Sequence, residues 1–217
     1  TEGETQTFTV VPTSDSKLEA DETVSISMNN LDNTVLNVDI TDGATATIIN
    51  DDAAAASLSV SQNGNEEGVV SVIYMVTLSN NNNTGMTITF NIDDLGTGTA
   101  SIGADYIAIP MDAQISVADG SNTGIYTVSV VDDSDFEANA ETLIAQISAS
   151  SNDDVTIDTP TATADITDND AVTAGLSVTT DGNEEGPVDI VYTVTLSNTN
   201  NTGSAITFDM DDLSTGT

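Results

Sequence analysis

The sequence repeats itself, and this internal repeat constrains the fold more than any other feature. Residues 58–99 align without a gap onto residues 176–217, at a constant offset of 118 residues. Within this alignment the segment Glu-Glu-Gly at 66–68 matches 184–186. Self-similarity at a fixed period is typical of tandem arrays in which each repeat is one structural unit. The sequence therefore predicts a series of similar domains.

The start of the chain matches the end of the same repeat. At the offset of 118, residues 50–52 align with residues 168–170. We therefore assign residues 1–52 to the C-terminal part of one repeat, residues 53–170 to a complete repeat, and residues 171–217 to the N-terminal part of the next. We expect this chain to be a window of a longer array. Each incomplete repeat lacks strands for its own core, so neighbouring repeats or other copies of the chain are the expected partners.

Apolar and polar residues alternate along the complete repeat, which is typical of half-buried strands. Turn-forming Asn, Asp and Gly separate the alternating segments, and no segment has a helical period. The predicted strands cover residues 57–62, 69–79, 86–92, 113–117, 124–131, 140–148 and 161–166. We therefore predict an all-β fold of tandem immunoglobulin-like antiparallel β-sandwiches, with about seven strands per repeat.

The charge balance is one-sided, with 36 Asp and Glu against a single Lys and a net charge of −35. The chain has no His and no Cys, which excludes imidazole bases, thiolate nucleophiles and soft-ligand zinc sites. With Lys17 as the only cation, nucleic acid and anionic membranes are not expected as partners. No apolar stretch is long enough for membrane insertion. Carboxylate oxygens are the ligands that Ca²⁺ prefers, so calcium is the expected cofactor.

Strands that run up and down bring the most acidic segments to one end of the repeat. These segments are the first, third and fifth loops and the residues after the seventh strand. They hold Glu66, Glu67, Asp93, Asp94, Asp105, Asp112, Asp132, Asp133, Asp135, Glu137, Asp168 and Asp170. Like charges a few ångströms apart repel by roughly 1 to 4 kcal/mol per pair at effective dielectric constants between 80 and 20. Topology therefore predicts a cation site at this end.

Three motifs of the complete repeat resemble the Calx-beta family, which occurs in sodium–calcium exchanger regulatory domains and in large bacterial extracellular surface proteins. They are 103–106 (Gly-Ala-Asp-Tyr), 131–137 (Val-Asp-Asp-Ser-Asp-Phe-Glu) with Glu141 and Thr142, and 164–170 (Ala-Asp-Ile-Thr-Asp-Asn-Asp). The resemblance implies calcium ligands at Glu66 or Glu67, Asp105, Asp132, Asp133, Asp135, Glu137, Asp168 and Asp170. The same positions of the incomplete repeats add Glu19, Asp51, Asp52, Glu184 and Glu185.

Two features depart from this pattern. An inserted residue lengthens the spacing from Glu137 to Glu141, which leaves the role of Glu141 open. In the first incomplete repeat, Lys17 stands where the complete repeat has Asp135, and Ser14 stands at the position of Asp132. We therefore expect a weaker site there, or one that holds fewer ions.

Other interpretations of the acidic and Asn-rich motifs fit less well. An EF-hand starting at Asp133 would need Gly at its sixth position and Glu at its twelfth, where the chain has Ala138 and Ile144. Paired carboxylates at 93–94 and 211–212 are reminiscent of a glycosidase, but active sites are rarely duplicated along an array, so we predict no enzyme. The triplets 82–84 and 200–202 fit an N-glycosylation acceptor or a polar turn.

We therefore expect a secreted, cell-surface structural protein, in which Ca²⁺ at the ends of successive repeats stiffens an extracellular fibre or adhesin stalk. An alternative is a calcium-dependent adhesion module that recognises a surface glycan or a protein. An intracellular calcium sensor fits less well, because the repeats are nearly identical and no membrane segment is present.

Overall fold

The computed structural model describes residues 3, 5–29, 40 and 43–213, and the regular secondary structure in these ranges is β-strand. No helix in the described ranges is long and apolar enough to cross a membrane. The described strands are, in chain order, β1 (Leu18–Glu19), β2 (Glu22–Ser27), β3 (Gly43–Ile48), β4 (Ala54–Gln62), β5 (Gly64–Asn65), β6 (Val72–Leu78), β7 (Asn82–Asn83), β8 (Ile88–Asp94), β9 (Gln114–Val117), β10 (Thr123–Val128), β11 (Glu141–Ser150), β12 (Val155–Thr159), β13 (Thr161–Thr167), β14 (Ala174–Thr180) and β15 (Val191–Leu196).

Two sheets form a sandwich in the complete repeat, which confirms the predicted fold class. One sheet has the strand order β10-β6-β4-β12, and the other has the order β5-β13-β11-β8-β9. The pairs within both sheets are antiparallel, except that β12 runs parallel to β4 and β5 runs parallel to β13. The sandwich carries the acidic loops at the ends of its strands.

The core lies between the inner faces of these two sheets. Along β6 every second residue is buried, so Val72 and Tyr74 face inward while the residues between them are partly exposed. Phe90 of β8 and Leu143 of β11 are buried from the other sheet. The Tyr74 hydroxyl donates to the carbonyl oxygen of Leu143 at 2.7 Å, which satisfies the polar atom of this buried ring. Each such large side chain stabilises the fold by about 1.5 to 3 kcal/mol on burial.

The observed strands lie within a few residues of the seven predicted ones. The main difference is β12 (Val155–Thr159), which lies where the sequence predicts a loop. This strand pairs with the edge of β4, and only Val155 of its five residues is buried. Although Val155 and Ile157 alternate with polar residues, the segment is short, and its parallel pairing with β4 is a tertiary contact that the local sequence does not show.

The incomplete repeats form separate antiparallel pairs, β2 with β3 and β14 with β15. Their apolar faces are more exposed than the same positions of the complete repeat. Tyr192 of β15 is 57% exposed, whereas its repeat equivalent Tyr74 is 0% exposed. The same residue pattern therefore buries its apolar face only where the second sheet is present.

Candidate metal centre

Glu66 is buried at the end of β5, with 1% of its surface exposed. Its backbone N–H donates to the carbonyl oxygen of Thr167 at 3.1 Å, and its carbonyl accepts from the Val69 N–H at 2.9 Å. A Cβ atom on the preceding Gly64 would lie 2.8 Å from Val130 Cγ2, so glycine allows β5 to pack closely against the core. The backbone therefore directs an acidic residue into the protein.

Asp105 is equally buried, with 1% of its surface exposed. It follows a turn at Gly103, whose φ of 90° favours glycine. Asp105 Oδ2 accepts a hydrogen bond from the Ser101 N–H. The carbonyl of Asp105 accepts from the Val131 N–H at 2.9 Å, which ties this turn to the acidic loop after β10. Two loops distant in the sequence are thus held together at this end.

The carboxylates converge in two groups that share Glu66. Oxygen atoms of Glu66, Asp105 and Glu137 lie within 4.8 Å of one another, and so do those of Glu66, Asp168 and Asp170. Three of these oxygens, Glu66 Oε2, Asp105 Oδ1 and Asp170 Oδ2, are buried and have no hydrogen-bond partner among the described residues. A buried polar atom without a partner costs about 1 to 3 kcal/mol, and more if it is charged. A cation in each group would satisfy these oxygens.

The electrostatics of the cluster are those of acids that lack a counter-charge. Burial, and then the negative charge of Asp168, raises the pKa of Glu66 to about 7. Burial, and then the neighbouring carboxylate of Asp105, raises the pKa of Glu137 to about 8. Burial and the neighbouring Asp168 also raise the pKa of Asp170 above its usual value. Each shift favours the neutral acid, so the ionised cluster destabilises the fold unless a cation is bound.

The remaining predicted ligands of the complete repeat lie at the margin of the two groups. Asp133 lies close enough for its charge to raise the pKa of both Glu66 and Glu137. Asp132 Oδ1 accepts from the Asn169 side-chain amide at 3.5 Å. Between the two candidates Glu66 and Glu67, the geometry favours Glu66, because Glu67 is exposed and belongs to neither group.

Asp135 makes contacts on both sides of the joint to the next repeat. Its backbone N–H donates to Asp133 Oδ1 at 2.7 Å, within the acidic loop. Its carboxylate oxygen Oδ2 accepts from Asn201 Nδ2 at 3.1 Å, and Asn201 belongs to residues 171–213. One side chain of the acidic loop therefore contacts the following repeat.

The candidate ligands of the incomplete repeats do not form comparable groups within the described ranges. Glu184 and Glu185 are exposed in the loop between β14 and β15. In the first segment, the ammonium of Lys17 lies 3.7 Å from Glu19 Oε1, so this glutamate already has a cationic neighbour. The other two predicted ligands there, Asp51 and Asp52, precede β4 and join no group of three carboxylates in the described part of the chain.

Glu141, whose role the sequence left open, belongs to neither carboxylate group but lies close enough to interact with Asp105 and Asp168. It is the first residue of β11 and pairs with Ile166, close to the end of β13. Burial, and then the charge of Asp105, raises the pKa of Glu141 to about 7, and Asp168 contributes to the shift. The available sequence signal was the Glu-Thr pair at 141–142, which recurs at 22–23. The inserted residue before it changes the spacing from Glu137, which is why the match alone does not define the role of Glu141.

Asp94, the second residue of the paired carboxylates at 93–94, accepts two hydrogen bonds near the site. Its Oδ2 atom accepts from the Tyr106 hydroxyl at 2.6 Å, and its Oδ1 atom accepts from the Gly96 N–H at 2.8 Å. These bonds fix the turn after β8 and orient Tyr106 next to Asp105. Asp94 therefore supports the position of a candidate ligand.

No family model matches the sequence, and no curated protein matches it. Among solved structures, the chain is similar to the apo form of the Calx CBD1 domain, with a TM-score of 0.44 and 20% identity over 55% of this chain and 100% of that one. It is also similar to CBD12 from CALX1.2, with a TM-score of 0.41 and 22% identity over 52% of this chain and 44% of that one. The calcium binding domain CBD12 of CALX1.1 gives a TM-score of 0.42 and 20% identity, with the same coverage.

The fold and the carboxylate groups together define the class of protein. It is a β-sandwich repeat with a buried, oxygen-only cluster built by four segments at one end.

Proposed function

We propose that this chain is a calcium-binding segment of a tandem-repeat structural protein that forms an extracellular fibre or an adhesin stalk. The observation that supports it most is the convergence of buried oxygens without hydrogen-bond partners, Glu66 Oε2, Asp105 Oδ1 and Asp170 Oδ2, in one end of the sandwich. A carboxylate is usually solvated by water or paired with a basic side chain. These atoms are buried from solvent, and no described residue pairs with them.

The donor set favours Ca²⁺ over other cations. All candidate ligands are carboxylate oxygens, and the chain has neither His nor Cys to attract transition metals. Calcium accepts six to eight oxygen ligands in flexible geometry, whereas magnesium prefers an octahedral shell and retains several waters. Glu66 belongs to both carboxylate groups and would bridge two cation positions, one towards Asp105 and Glu137, the other towards Asp168 and Asp170.

The position of the cluster supports a mechanical role. Asp170 is followed almost at once by β14, which begins at Ala174, so the connection to the next repeat is short. Asp135 of the acidic loop already contacts Asn201 of that repeat. A cation that holds the acidic loop and the segment 168–170 would therefore restrict the joint. Extracellular modules bind calcium with dissociation constants of about 10⁻⁴ to 10⁻³ M, which suits a weak, multi-carboxylate site outside the cell.

Thermal melting of the full chain in excess Ca²⁺ and in EGTA tests the cation part of this proposal. Because a ligand that binds only the folded state stabilises it in proportion to the logarithm of its concentration, the melting temperature should rise steadily with Ca²⁺. Mg²⁺ at equal concentration serves as the control for ionic screening. A melting temperature that Ca²⁺ and Mg²⁺ raise equally would refute specific binding.

Negative-stain microscopy of the native assembly tests the structural part. A fibre or stalk should appear as an extended particle with a regular repeat in Ca²⁺, and as a more curved, irregular one in EGTA. Compact particles under both conditions would contradict the stalk, while leaving calcium binding itself unaffected.

A further inference from the structure

The same contact occurs at both joints between repeats. Leu18 of β1 pairs in parallel with Asn82 of β7, in the complete repeat. Phe136 forms a parallel bridge with Asn200, in the segment after the complete repeat. Both partners are shifted by the same offset of 118 residues. The contact is therefore a property of the repeat and recurs with it.

One side of this contact is organised by a buried asparagine. Asn82 is 0% exposed. Its Nδ2 atom donates to the carbonyl oxygens of Met86 at 2.7 Å and Val117 at 3.1 Å. Its Oδ1 atom accepts from the Thr84 hydroxyl at 2.7 Å and from the Thr84 N–H at 3.2 Å. The side chain thus fixes the loop after β6 to the end of β9 and leaves β7 free to pair outward.

These bonds also decide between the two interpretations of the triplet 82–84. A glycan acceptor needs an accessible amide nitrogen, but Asn82 Nδ2 is buried and donates two hydrogen bonds. In the folded chain Asn82 is therefore a turn-forming residue and not a glycosylation site.

The other side of the contact is an apolar residue from the preceding repeat. Leu18 is 0% exposed and belongs to the same cluster of buried side chains as the core of the complete repeat. Its neighbours Lys17 and Glu19 remain at least partly exposed. An isolated apolar residue in a polar loop, fully buried against another repeat, is typical of an anchor at an interface.

The second joint repeats this geometry with a larger anchor. The Asn201 N–H donates to the Phe136 carbonyl oxygen at 2.9 Å. The Asn200 side chain copies the bonds of Asn82 in part, since Nδ2 donates to the Ser204 carbonyl at 2.8 Å and Oδ1 accepts from the Thr202 hydroxyl at 2.7 Å. Phe136 is only half-buried, because the described residues after 171 include no counterpart of β9 or β10 to enclose it.

We infer that the asparagine end of each repeat is a docking surface for the preceding repeat of the same chain. The apolar residue at the tip of the acidic loop, Leu18 or Phe136, is the anchor, and Asn82 or Asn200 is the positioning residue. Each joint between repeats then has a docking contact, which is additional to the cation site of the proposed function. This contact rests on packing and backbone pairing alone, so it holds whether or not the cluster binds calcium.

Distance measurements by pulsed electron paramagnetic resonance on the full chain test this inference. The chain has no Cys, so Ser27→Cys and Thr127→Cys, both at exposed positions, introduce one spin label on each side of the first joint. The acidic loop at this first joint joins no group of three carboxylates in the described part of the chain, so the docking contact alone should give a narrow distance distribution in EDTA. Leu18→Ser should remove most of the narrow component, whereas Val11→Ser, at an 80% exposed position, should leave it intact.

Two further measurements keep this test decisive. Leu18→Phe copies the anchor of the second joint and should retain a narrow distribution. Circular dichroism of each variant shows whether the complete repeat still folds, which separates undocking from unfolding. A narrow distribution in a folded Leu18→Ser variant, or a broad one in the parent chain, would overturn the docking surface. Since EDTA is present throughout, neither outcome depends on calcium.

Discussion

The acidic loop after β10 and its counterpart in the first segment have related sequences and different electrostatics. The loop of the complete repeat contributes Glu137 to a group with Glu66 and Asp105, whereas residues 14–19 join no such group in the described part of the chain. The partners of Glu137 come from loops that residues 1–52 do not contain. The acidic loop alone therefore does not make a site, because the site needs four segments of one sandwich.

The two regions also differ in the direction of their pKa shifts. A hydrogen bond to Asp15 raises the pKa of Lys17, and a hydrogen bond from the Lys17 backbone N–H lowers the pKa of Asp15. In the complete repeat, burial and like charges raise the pKa of Glu66 and Glu137. One region therefore has its own counter-ion, and the other lacks one and favours an external cation.

The largest expected effect is a pH dependence of the complete repeat in EGTA. The pKa of Glu66 is raised from 4.5 to about 7, so the folded state binds a proton before the unfolded state does as the pH falls. The resulting stability is present below pH 4.5 and is lost as the pH rises through about 7. At about 1.4 kcal/mol per pKa unit, Glu66 alone contributes about 3 kcal/mol. Urea unfolding at pH 8 and pH 5 measures this difference.

Glu66→Gln and excess Ca²⁺ serve as controls for this pH dependence. Glu66→Gln should reduce the slope, because it removes the titrating group while the overall acidity of the chain changes little. Excess Ca²⁺ should reverse the sign, since protons then compete with the cation for the same oxygens. A lower unfolding free energy at pH 5 than at pH 8 in EGTA would contradict the burial of ionisable acids in this cluster.

The next effect concerns the adjacent residues Glu66 and Glu67. Glu66→Gln should weaken calcium binding by about thirtyfold, because calcium affinity depends on the number of charged ligands. Glu67→Gln removes the same charge at an exposed position outside both groups and should change the affinity little. Isothermal titration calorimetry measures both. Equal losses in the two variants would show that diffuse charge, and not a defined site, attracts the cation.

The smallest effect is expected from Lys17→Asp, which gives the first segment the residue that the complete repeat has at 135. Although the loop becomes more acidic, it still lacks the partners that Glu66 and Asp105 provide in the complete repeat. Equilibrium dialysis with radioactive calcium should therefore give the same number of bound ions per chain as the parent. An additional bound ion would show that the acidic loop makes a site by itself.

The sandwich and the acidic end could be predicted from the sequence, because strand alternation and chain direction determine both. The sequence could not show that Glu66, and not Glu67, is the buried residue, since this depends on a turn in which Gly68 and Val69 have positive φ. The burial of Asn82 could not be predicted either. Its side chain donates to the backbone carbonyls of Met86 and Val117, and the tertiary structure brings these two groups together. Local patterns describe the faces of strands, whereas loop orientation follows from packing.

If Glu66, Asp105 and Glu137 hold calcium, a crystal structure of the full chain grown in Ca²⁺ should show the ion. The anomalous difference map should show a peak enclosed by these carboxylates, with oxygen distances of about 2.3 to 2.6 Å. A second peak is expected between Glu66, Asp168 and Asp170. Absence of any peak within the cluster in crystals grown at saturating calcium, or peaks confined to exposed acids such as Glu67, would show that these carboxylates do not form a calcium site.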